Sequence, residues 1–357
     1  MGGIVMQGYV IETEKAALDR HHLIESGFSP GPGEVTAGLD LVAVTANNVT
    51  YAVHHGPPLH YGAFFPATDR ERLVVPLWGF ATITASRAPG VREGDRFYGY
   101  WPSASHLLLR PGDLRESGFA DTAPHRQPMA AVYNQYVAAA SLAPNQEDEP
   151  FASLFRPLFG TAFALDDALG GGAEERLVFT SASSKTALGT AWCLQQRGGR
   201  EVIGLTSAAN RAFVAQTGLY AEVLAYEALE ELDPQRPTIL VDFAGNGAVK
   251  ARLHRHLAAL RASHIVGDTH WSEPPAEELP GPAPALFFAP SVIAAMIARD
   301  GPSAFHRTLA GAMAGFADHA ARWLTIVDHA GPDGFAAAFD PLVAGRAAPE
   351  TGAIWRP

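Results

Sequence analysis

Apolar residues in the middle of the chain form short runs that alternate with helix-like segments. Leu177-Val178-Phe179 is a run typical of a strand buried on both faces. Residues 187–196 have apolar positions at helical spacing, and residues 201–205 form a second apolar run. The pattern continues with a strand at 238–243 and another at 263–267. This alternation predicts a doubly wound parallel sheet with right-handed crossovers.

The N-terminal part follows a different pattern. Short apolar runs with β-branched residues, among them 35–44 and 73–83, are interrupted by frequent Gly and Pro. Such runs predict a small β-barrel over about the first 125 residues. The segment 128–140, PMAAVYNQYVAAA, is helix-like.

A Pro-rich passage at 273–284 separates the predicted parallel sheet from the last part of the chain. Helical patterns resume after it, and a strand–helix–strand piece ends near Trp355. The sequence therefore suggests an α/β protein in three consecutive stretches. Their boundaries fall after residues 127 and 284.

The composition narrows the class of protein. With 357 residues, 47% hydrophobic and 18% charged, the chain has the make-up of a soluble globular protein of about two domains. A net charge of −11 argues against nucleic acid and anionic membrane surfaces as partners. No export signal or membrane-spanning stretch is evident, so a cytoplasmic location is expected. A single cysteine, Cys193, excludes an internal disulfide and any cysteine-based zinc cluster.

The loop after the first parallel strand is a candidate phosphate site. In doubly wound sheets the pyrophosphate of a dinucleotide lies at this turn, against the N-terminus of the next helix. The usual G-x-G-x-x-G pattern is absent here, and Gly189 alone is expected to serve close packing. Ser183, Ser184 and Thr186 can donate to phosphate oxygens, and Lys185 can supply charge. The alternative is that the hydroxyl residues only cap the helix.

The end of the second strand indicates which dinucleotide would bind. NAD-preferring folds place Asp or Glu there to bind the ribose hydroxyl. This sequence has Ser207 and Arg211 instead, which suit a 2′-phosphate and therefore NADPH. The alternative is a helix cap followed by a solvent-facing arginine. Asn246, in the polar turn after the strand at 238–243, is a further candidate for cofactor contact.

Three short motifs resemble those of the medium-chain dehydrogenase/reductase superfamily. Residues 47–51, NNVTY, are similar to the N-x-x-D segment of its zinc-independent quinone-oxidoreductase-like branch. Residues 94–99, GDRFYG, are close to that branch's G-D-x-V-x-G turn, and residues 241–245, VDFAG, to its V-x-D-x-x-G strand. Within the superfamily the sequence is most similar to the bacterial family DUF2855.

The resemblance implies a GroES-like β-barrel catalytic domain joined to a Rossmann dinucleotide-binding domain. It implies that residues 1–127 form the N-terminal part of the GroES-like substrate domain, that 128–284 form the Rossmann domain, and that 285–357 return to the substrate domain. It also implies that Asn47, Thr50 and Tyr51 face the nicotinamide. An asparagine can hold a carbonyl or the cofactor amide, and a tyrosine can donate a proton to a developing oxyanion. From the residues alone, a turn asparagine and a core tyrosine are equally compatible with the pattern. Thr50 stands where the branch usually has Asp.

Aromatic and polar residues near the predicted helix 128–140 are candidates for substrate binding. Tyr133 and Asn134 would lie on different helical faces, and buried packing is the alternative for both. Trp78 is one of several aromatic residues that could bind an apolar substrate. A small molecule is the expected partner, and a homodimer is left open.

Two histidine pairs resemble metal ligands at first sight. His54 and His55 lack a third ligand nearby, and His254 and His256 are spaced so that a helix would separate their rings. We therefore expect no metal site, and we expect the second pair to lie on a solvated helix face. The cysteine ligands of the zinc-dependent superfamily members are also missing.

Two classes of function follow. The first is an NADPH-dependent, zinc-independent oxidoreductase that reduces a carbonyl or an activated C=C bond of a small apolar substrate. The second keeps the fold without redox chemistry, as a lyase-like enzyme or a non-catalytic nucleotide sensor. The altered glycine loop favours the second class, and Ser207 with Arg211 favours the first.

Overall fold

The computed structural model describes residues 5–143, 145–170, 174–243, 245–266 and 279–357. The chain divides into two compact units. Unit 1 comprises Met1–Leu154 and Thr325–Pro357, and unit 2 comprises Phe155–Leu324. These divisions fall later in the chain than the boundaries after residues 127 and 284 that the sequence suggested.

Unit 1 is mostly β-structure within the described residues. Its strands are β1 (Met6–Glu14), β2 (Ala17–Phe28), β3 (Val35–Val44), β4 (Arg72–Val74), β5 (Pro76–Ser86), β6 (Arg96–Pro102), β7 (His106–Leu109), β8 (Pro111–Arg115), β9 (Gly118–Asp121), β10 (Gln135–Ala138), β17 (Thr325–Ala330) and β18 (Thr351–Arg356). Its helices are α1 (Ala46–Val53) and α8 (Gly331–Val343), and α2 (Glu149–Leu169) begins here. One sheet has the order β17-β18-β3-β5-β6-β10-β9-β8, with β7 also paired to β3, and another has the order β2-β1-β4.

The core of unit 1 is apolar and rich in aromatic residues. Trp101 and Trp355 are fully buried, and each indole N–H donates to a backbone carbonyl, of Gly79 at 2.9 Å and of Gly331 at 2.8 Å. Buried tryptophans need such a partner because an unpaired N–H is costly in an apolar interior.

Unit 2 is the predicted parallel sheet with helices. Its strands are β11 (Arg176–Phe179), β12 (Val202–Thr206), β13 (Glu222–Ala225), β14 (Thr238–Asp242), β15 (Leu260–Ile265) and β16 (Ala285–Leu286). Its helices are α3 (Lys185–Arg197), α4 (Arg211–Gln216), α5 (Gly247–His256), α6 (Ala289–Asp300) and α7 (Pro302–Ala320), besides the larger part of α2. All five strand pairs are parallel, in the order β13-β12-β11-β14-β15-β16. This is the strand order of a doubly wound dinucleotide-binding sheet.

Gly189 serves the packing role that the sequence predicted for it. A Cβ at this position of α3 would lie 3.1 Å from the Cβ of Ala162 and 3.3 Å from Cδ2 of Phe159. The missing side chain therefore allows α3 to lie close against α2.

The predicted helix at 128–140 is wrong. The segment forms a short 3-10 helix at Ala131–Asn134 and then β10, which pairs antiparallel with β6 and β9. Its alanines favour a helix, but Tyr136 is buried and stacks on Phe119 at 5.2 Å. Tertiary pairing overrides helix propensity here.

Candidate functional site

The loop between β11 and α3 is organised by hydroxyl groups instead of glycines. Ser184 is the N-cap of α3, and its side chain accepts from the Ala187 N–H at 3.3 Å. Lys185 is the first residue of the helix, and the first turn contains no acid. Lys185 brings a positive charge to the N-terminus of the helix, where anions bind favourably. The arrangement is compatible with a phosphate, although Ser184 also fulfils the capping alternative.

The Ser183 hydroxyl accepts hydrogen bonds from two other side chains. Its hydroxyl oxygen accepts from Thr206 Oγ1 at 3.4 Å and from Asn210 Nδ2 at 3.3 Å. A hydroxyl has one proton to donate and two lone pairs to accept with. Since both lone pairs of Ser183 have donors, its proton is left to point at a further acceptor, such as a phosphate oxygen.

Ser181 takes the backbone conformation that a glycine usually provides. Its φ is +46°, in the left-handed region, and its N–H donates to Tyr226 Oη at 2.8 Å. Burial raises the pKa of Tyr226 to about 12, so the phenol is neutral at physiological pH. Tyr226 thus fixes the loop backbone at the point where the usual motif relies on glycine.

A buried carboxylate ties the loop to the neighbouring strand. Asp242 is 1% exposed; it accepts from Thr180 Oγ1 at 2.6 Å and from the Gly245 N–H at 3.1 Å, and lies 3.3 Å from Lys250 Nζ. The ion pair offsets the cost of burying the charge. Asn246 caps α5, because its Oδ1 accepts from the Val249 N–H at 2.9 Å.

Ser207 and Arg211 lie directly beyond β12, as the sequence predicted. Arg211 is exposed, and its Nε donates to the Val223 carbonyl at 3.0 Å. Among the described residues, neither terminal nitrogen of Arg211 nor the hydroxyl of Ser207 has a hydrogen-bond partner. The guanidinium is therefore anchored at one nitrogen and has its other donors available for an anion. This donor set fits a ribose 2′-phosphate.

In unit 1, Asn47, Tyr51 and Trp78 form a hydrogen-bonded group. Asn47 and Tyr51 are four residues apart on α1 and therefore share a face. The Tyr51 oxygen accepts from Asn47 Nδ2 at 2.6 Å and from Trp78 Nε1 at 3.0 Å. Burial raises the pKa of Tyr51, while the bonds from Trp78 and Asn47 work to lower it. Thr50 takes no part in this group, since its hydroxyl lies 3.5 Å from the Ala46 carbonyl within α1.

Two further tyrosines extend this group. Tyr61 Oη and Tyr133 Oη are 3.1 Å apart, and either hydroxyl could be the donor. The Tyr51 ring lies 4.6 Å from the Tyr61 ring, between centroids, and 6.2 Å from the Tyr133 ring. Burial raises the pKa of both Tyr61 and Tyr133. We call Tyr51, Tyr61 and Tyr133 the phenol cluster.

Asn134 is buried and hydrogen-bonded to Arg126. It is 7% exposed; its Oδ1 accepts from Arg126 Nε at 3.0 Å, and its Nδ2 donates to the Arg126 carbonyl at 2.9 Å. The predicted helical faces of Tyr133 and Asn134 do not exist, because the two residues end a 3-10 helix. The structure favours a supporting role for Asn134 behind Tyr133.

The second histidine pair is not on a solvated face as expected. His254 is 3% exposed and hydrogen-bonds through its two ring nitrogens to the Pro280 carbonyl and the Ser263 hydroxyl, each at 3.0 Å. Its neighbour on α5, Leu253, is fully buried, so this side of the helix faces the unit 2 core. Among the described residues, no group of three His, Cys, Asp or Glu side chains could hold a metal ion.

A cavity of about 710 Å3 lies among α2, α3, α6 and α7 of unit 2, lined in part by Phe163, Trp192, Cys193 and Met296. Two ion pairs stand at its edge, Arg197 with Asp166 and Arg299 with Asp167. Burial raises the pKa of the Cys193 thiol, which is therefore uncharged and unreactive at neutral pH. The cavity reaches the C-terminal half of α3, whereas the phosphate loop is at the helix's N-terminus.

Several residues at these sites were not singled out from the sequence. Thr206 and Asn210 support Ser183, Tyr226 supports Ser181, and Tyr61 completes the phenol cluster. Asn210 had a sequence signal, since it lies between Ser207 and Arg211. Tyr61 had none, because its role depends on contacts with residues 10 and 72 positions away.

Comparisons with known proteins place the chain in a family. The family model described as "Protein of unknown function (DUF2855)" matches residues 42–348, so the chain belongs to the DUF2855 family. A comparison with curated protein sequences found no significant match.

Solved structures with the same fold include CurA from Vibrio vulnificus in complex with NADPH, which is 13% identical, with 94% of each chain covered and a TM-score of 0.64. A thermostable alcohol dehydrogenase from Pyrobaculum aerophilum is 12% identical, over 99% of this chain and 100% of that one, with a TM-score of 0.60. The CurK enoyl reductase is 14% identical, over 98% and 99% of the two chains, with a TM-score of 0.58. The predicted fold, a GroES-like barrel with a Rossmann domain, is thereby confirmed. In the described part of the chain, the helices are all too short or too polar to cross a membrane.

Proposed function

We propose that this protein binds NADPH and reduces a carbonyl or an activated C=C bond of a small apolar molecule, without zinc. The observation that carries the proposal is the end of β12. No acid stands there to bind a ribose hydroxyl, and Arg211 is anchored to β13 with its terminal nitrogens available. The fold's occurrence in CurA, whose structure holds NADPH, supports the same cofactor.

The loop residues would hold the rest of the nucleotide. Ser183 has its proton free to donate, and Lys185 adds charge at the N-terminus of α3. Thr186 lies in the first turn, where helix N–H groups lack partners within the helix. Asn246, which caps α5, is proposed as a further contact for the cofactor.

Bound NADPH would supply the hydride, and the chain would supply the hydrogen-bond donors for the oxygen that becomes negative. The proposed donors are the phenol cluster, with Asn47 orienting Tyr51. The neutral phenols suit this role, because burial keeps their protons in place at physiological pH. Trp78, which is half-buried beside Tyr100 and Tyr133, is proposed to offer an apolar surface to the substrate.

Cofactor titration tests the proposal. NADPH and NADH binding would be followed by nicotinamide fluorescence for the wild type, Arg211→Ala and the control Arg252→Ala. Arg252 lies on α5 and pairs with Glu230. Arg211→Ala should weaken NADPH by about 1–3 kcal/mol, as for a lost charge-assisted bond, and leave NADH nearly unchanged. Equal losses for both cofactors, or the same loss in Arg252→Ala, would contradict the 2′-phosphate assignment.

A second function is favoured by the loop itself. Residues 180–188 contain no glycine, and Ser184 is already engaged as a cap. A lyase-like enzyme or a nucleotide sensor would tolerate a loop that holds the nucleotide differently. NADPH binding without oxidation of the cofactor, across enones, quinones and aldehydes, would favour this second function.

A further inference from the structure

Two tyrosine side chains are hydrogen-bonded to the backbone of the loop between β11 and α3. The Ser181 N–H donates to Tyr226 Oη at 2.8 Å. The Ala182 carbonyl accepts from Tyr220 Oη at 2.9 Å. Both directions are fixed, because a backbone N–H can only donate and a carbonyl oxygen can only accept. Burial raises the pKa of both phenols, so Tyr220 keeps the proton that it donates at physiological pH.

Ser181 needs a restraint because of its backbone conformation. Its φ of +46° lies in the left-handed region, which a residue with a Cβ occupies only where the surrounding structure holds it there. Glycine adopts this region readily, and residues 180–188 contain no glycine before or after Ser181. The Ser184 N–H donates to the Ser181 carbonyl at 2.8 Å, and Ser184 caps α3. The conformation at Ser181 therefore sets where the helix begins.

A glycine on the neighbouring strand makes room for this arrangement. A Cβ at Gly204 of β12 would lie 2.8 Å from the Cβ of Ala182 and 3.1 Å from two carbon atoms of the Tyr220 ring. The Ala182 N–H also donates to the Leu205 carbonyl of β12 at 3.0 Å. The usual motif places glycines in the loop for close approach, whereas here the glycine that allows close approach is on the adjacent strand.

We propose that Tyr220 and Tyr226 are positioning residues that hold the glycine-free loop in its phosphate-binding conformation before a cofactor arrives. They act through the loop backbone and not through contact with the cofactor. The consequence for binding rests on the proposed NADPH function. Because NADPH and NADH share the pyrophosphate, loss of either tyrosine hydroxyl should weaken both cofactors equally, in contrast to the loss of Arg211.

Amide hydrogen exchange tests the positioning role without a cofactor. Tyr226→Phe removes the acceptor of the Ser181 N–H and should speed exchange there. If Tyr226 holds the loop, exchange should also become faster at Ala182 and Ser184, whose N–H groups have other acceptors. The control is Tyr100→Phe, which removes a buried hydroxyl without a partner among the described residues and should leave all three amides unchanged. Faster exchange at Ser181 alone would overturn the positioning role.

A glycine at position 181 provides the rescue. Because glycine adopts a positive φ readily, Ser181→Gly in the Tyr226→Phe background should slow exchange at Ala182 and Ser184 toward the wild-type rates. Exchange at residue 181 itself should stay fast, since its N–H still lacks the phenol acceptor. Ser181→Gly should not rescue Tyr220→Phe, which loses its hydrogen bond at the Ala182 carbonyl. Exchange that stays fast at all three amides of the double variant would overturn the role of Tyr226 in holding Ser181.

Cofactor titration then measures the consequence for binding. Tyr226→Phe and Tyr220→Phe should each weaken NADPH and NADH about 3- to 10-fold, as for one lost hydrogen bond, and Ser181→Gly should restore binding in Tyr226→Phe. Faster loop exchange with wild-type affinity for both cofactors would overturn the link between the tyrosines and the phosphate, and so would a loss for NADPH alone. If the wild type binds neither cofactor but the exchange results hold, the tyrosines position the loop and the proposed function fails.

Discussion

Arg126 donates through Nη1 to Asp121 Oδ2 at 3.0 Å, and both side chains are only 1% exposed. The guanidinium also donates to Asn134 Oδ1, to the Tyr136 hydroxyl and to the Tyr133 carbonyl. This buried pair therefore fixes the backbone on which Tyr133 stands. A supporting network of this kind keeps a functional side chain in one geometry.

Arg126→Met should destabilise unit 1 by about 3–5 kcal/mol, because it leaves the Asp121 carboxylate buried without its partner. The matched control is Arg110→Ala, which removes a half-exposed arginine paired with Glu34 and should cost under about 1 kcal/mol. Urea unfolding followed by far-UV circular dichroism and tryptophan fluorescence would compare the two. Similar losses in both variants would show that Arg126 is no more important than a surface arginine.

Much of the fold follows from local patterns. Strands β11, β12 and β14 of unit 2 were predictable because each contains a continuous apolar run, and α3 was predictable because its apolar residues recur at helical spacing. The short strands β13 and β16 were not predicted. The segment 128–140 was not predictable, because its alanines favour a helix while Tyr136 is buried in the barrel. The competing information lies in residues that are distant in sequence, such as Phe119 and Gly99, on whose bare backbone the Tyr136 ring lies.

The candidate site was predictable to a lesser extent. Ser207 and Arg211 were identified because a strand end in a doubly wound fold has a known relationship to the ribose. The phenol cluster combines α1 and two short 3-10 helices, and no local period connects them. Its hydrogen bonds could be found only from the contacts themselves.

Lys185→Ala should weaken NADPH binding more at low salt than at high salt. Lys185 begins α3, and a charge–charge contact near the surface is screened as ionic strength rises. Folding should barely change, because a lysine at the start of a helix contributes little to the core. Titrations at several salt concentrations, with thermal unfolding alongside, would check both. Wild-type affinity at every ionic strength would reduce the loop to a helix cap.

Activity should not depend on zinc. The described residues offer no three-ligand group, and His254, one of the histidines considered, is hydrogen-bonded through both ring nitrogens. Elemental analysis of protein purified without added metal should find far less than one zinc per chain, and chelator treatment should leave NADPH binding unchanged. A stoichiometric metal whose removal abolishes binding or activity would overturn this prediction.

Tyr100 and Tyr136 provide a paired test of buried hydroxyls. The Tyr136 hydroxyl accepts from Arg126 Nη1 at 2.8 Å and donates to the Tyr100 carbonyl at 2.9 Å, whereas the Tyr100 hydroxyl has no partner in the described structure. At pH 8, Tyr136→Phe should lose about 1–3 kcal/mol, and Tyr100→Phe should match the wild type or exceed it by up to about 1 kcal/mol.

Tyr100 should also make the free energy of unfolding depend on pH in alkaline solution. Burial raises the pKa of Tyr100 well above 10, so its phenol stays neutral in the folded protein while it ionises near pH 10 in the unfolded chain. The unfolded state then binds fewer protons, and stability falls as the pH rises from 10 toward the folded pKa. Tyr100→Phe removes one such group, so its advantage over the wild type should grow by about 1 kcal/mol between pH 10 and pH 11. Urea unfolding at pH 8, 10 and 11 would measure the difference, and a constant difference across that range would mean that the Tyr100 phenol ionises as readily in the folded protein as in the unfolded one.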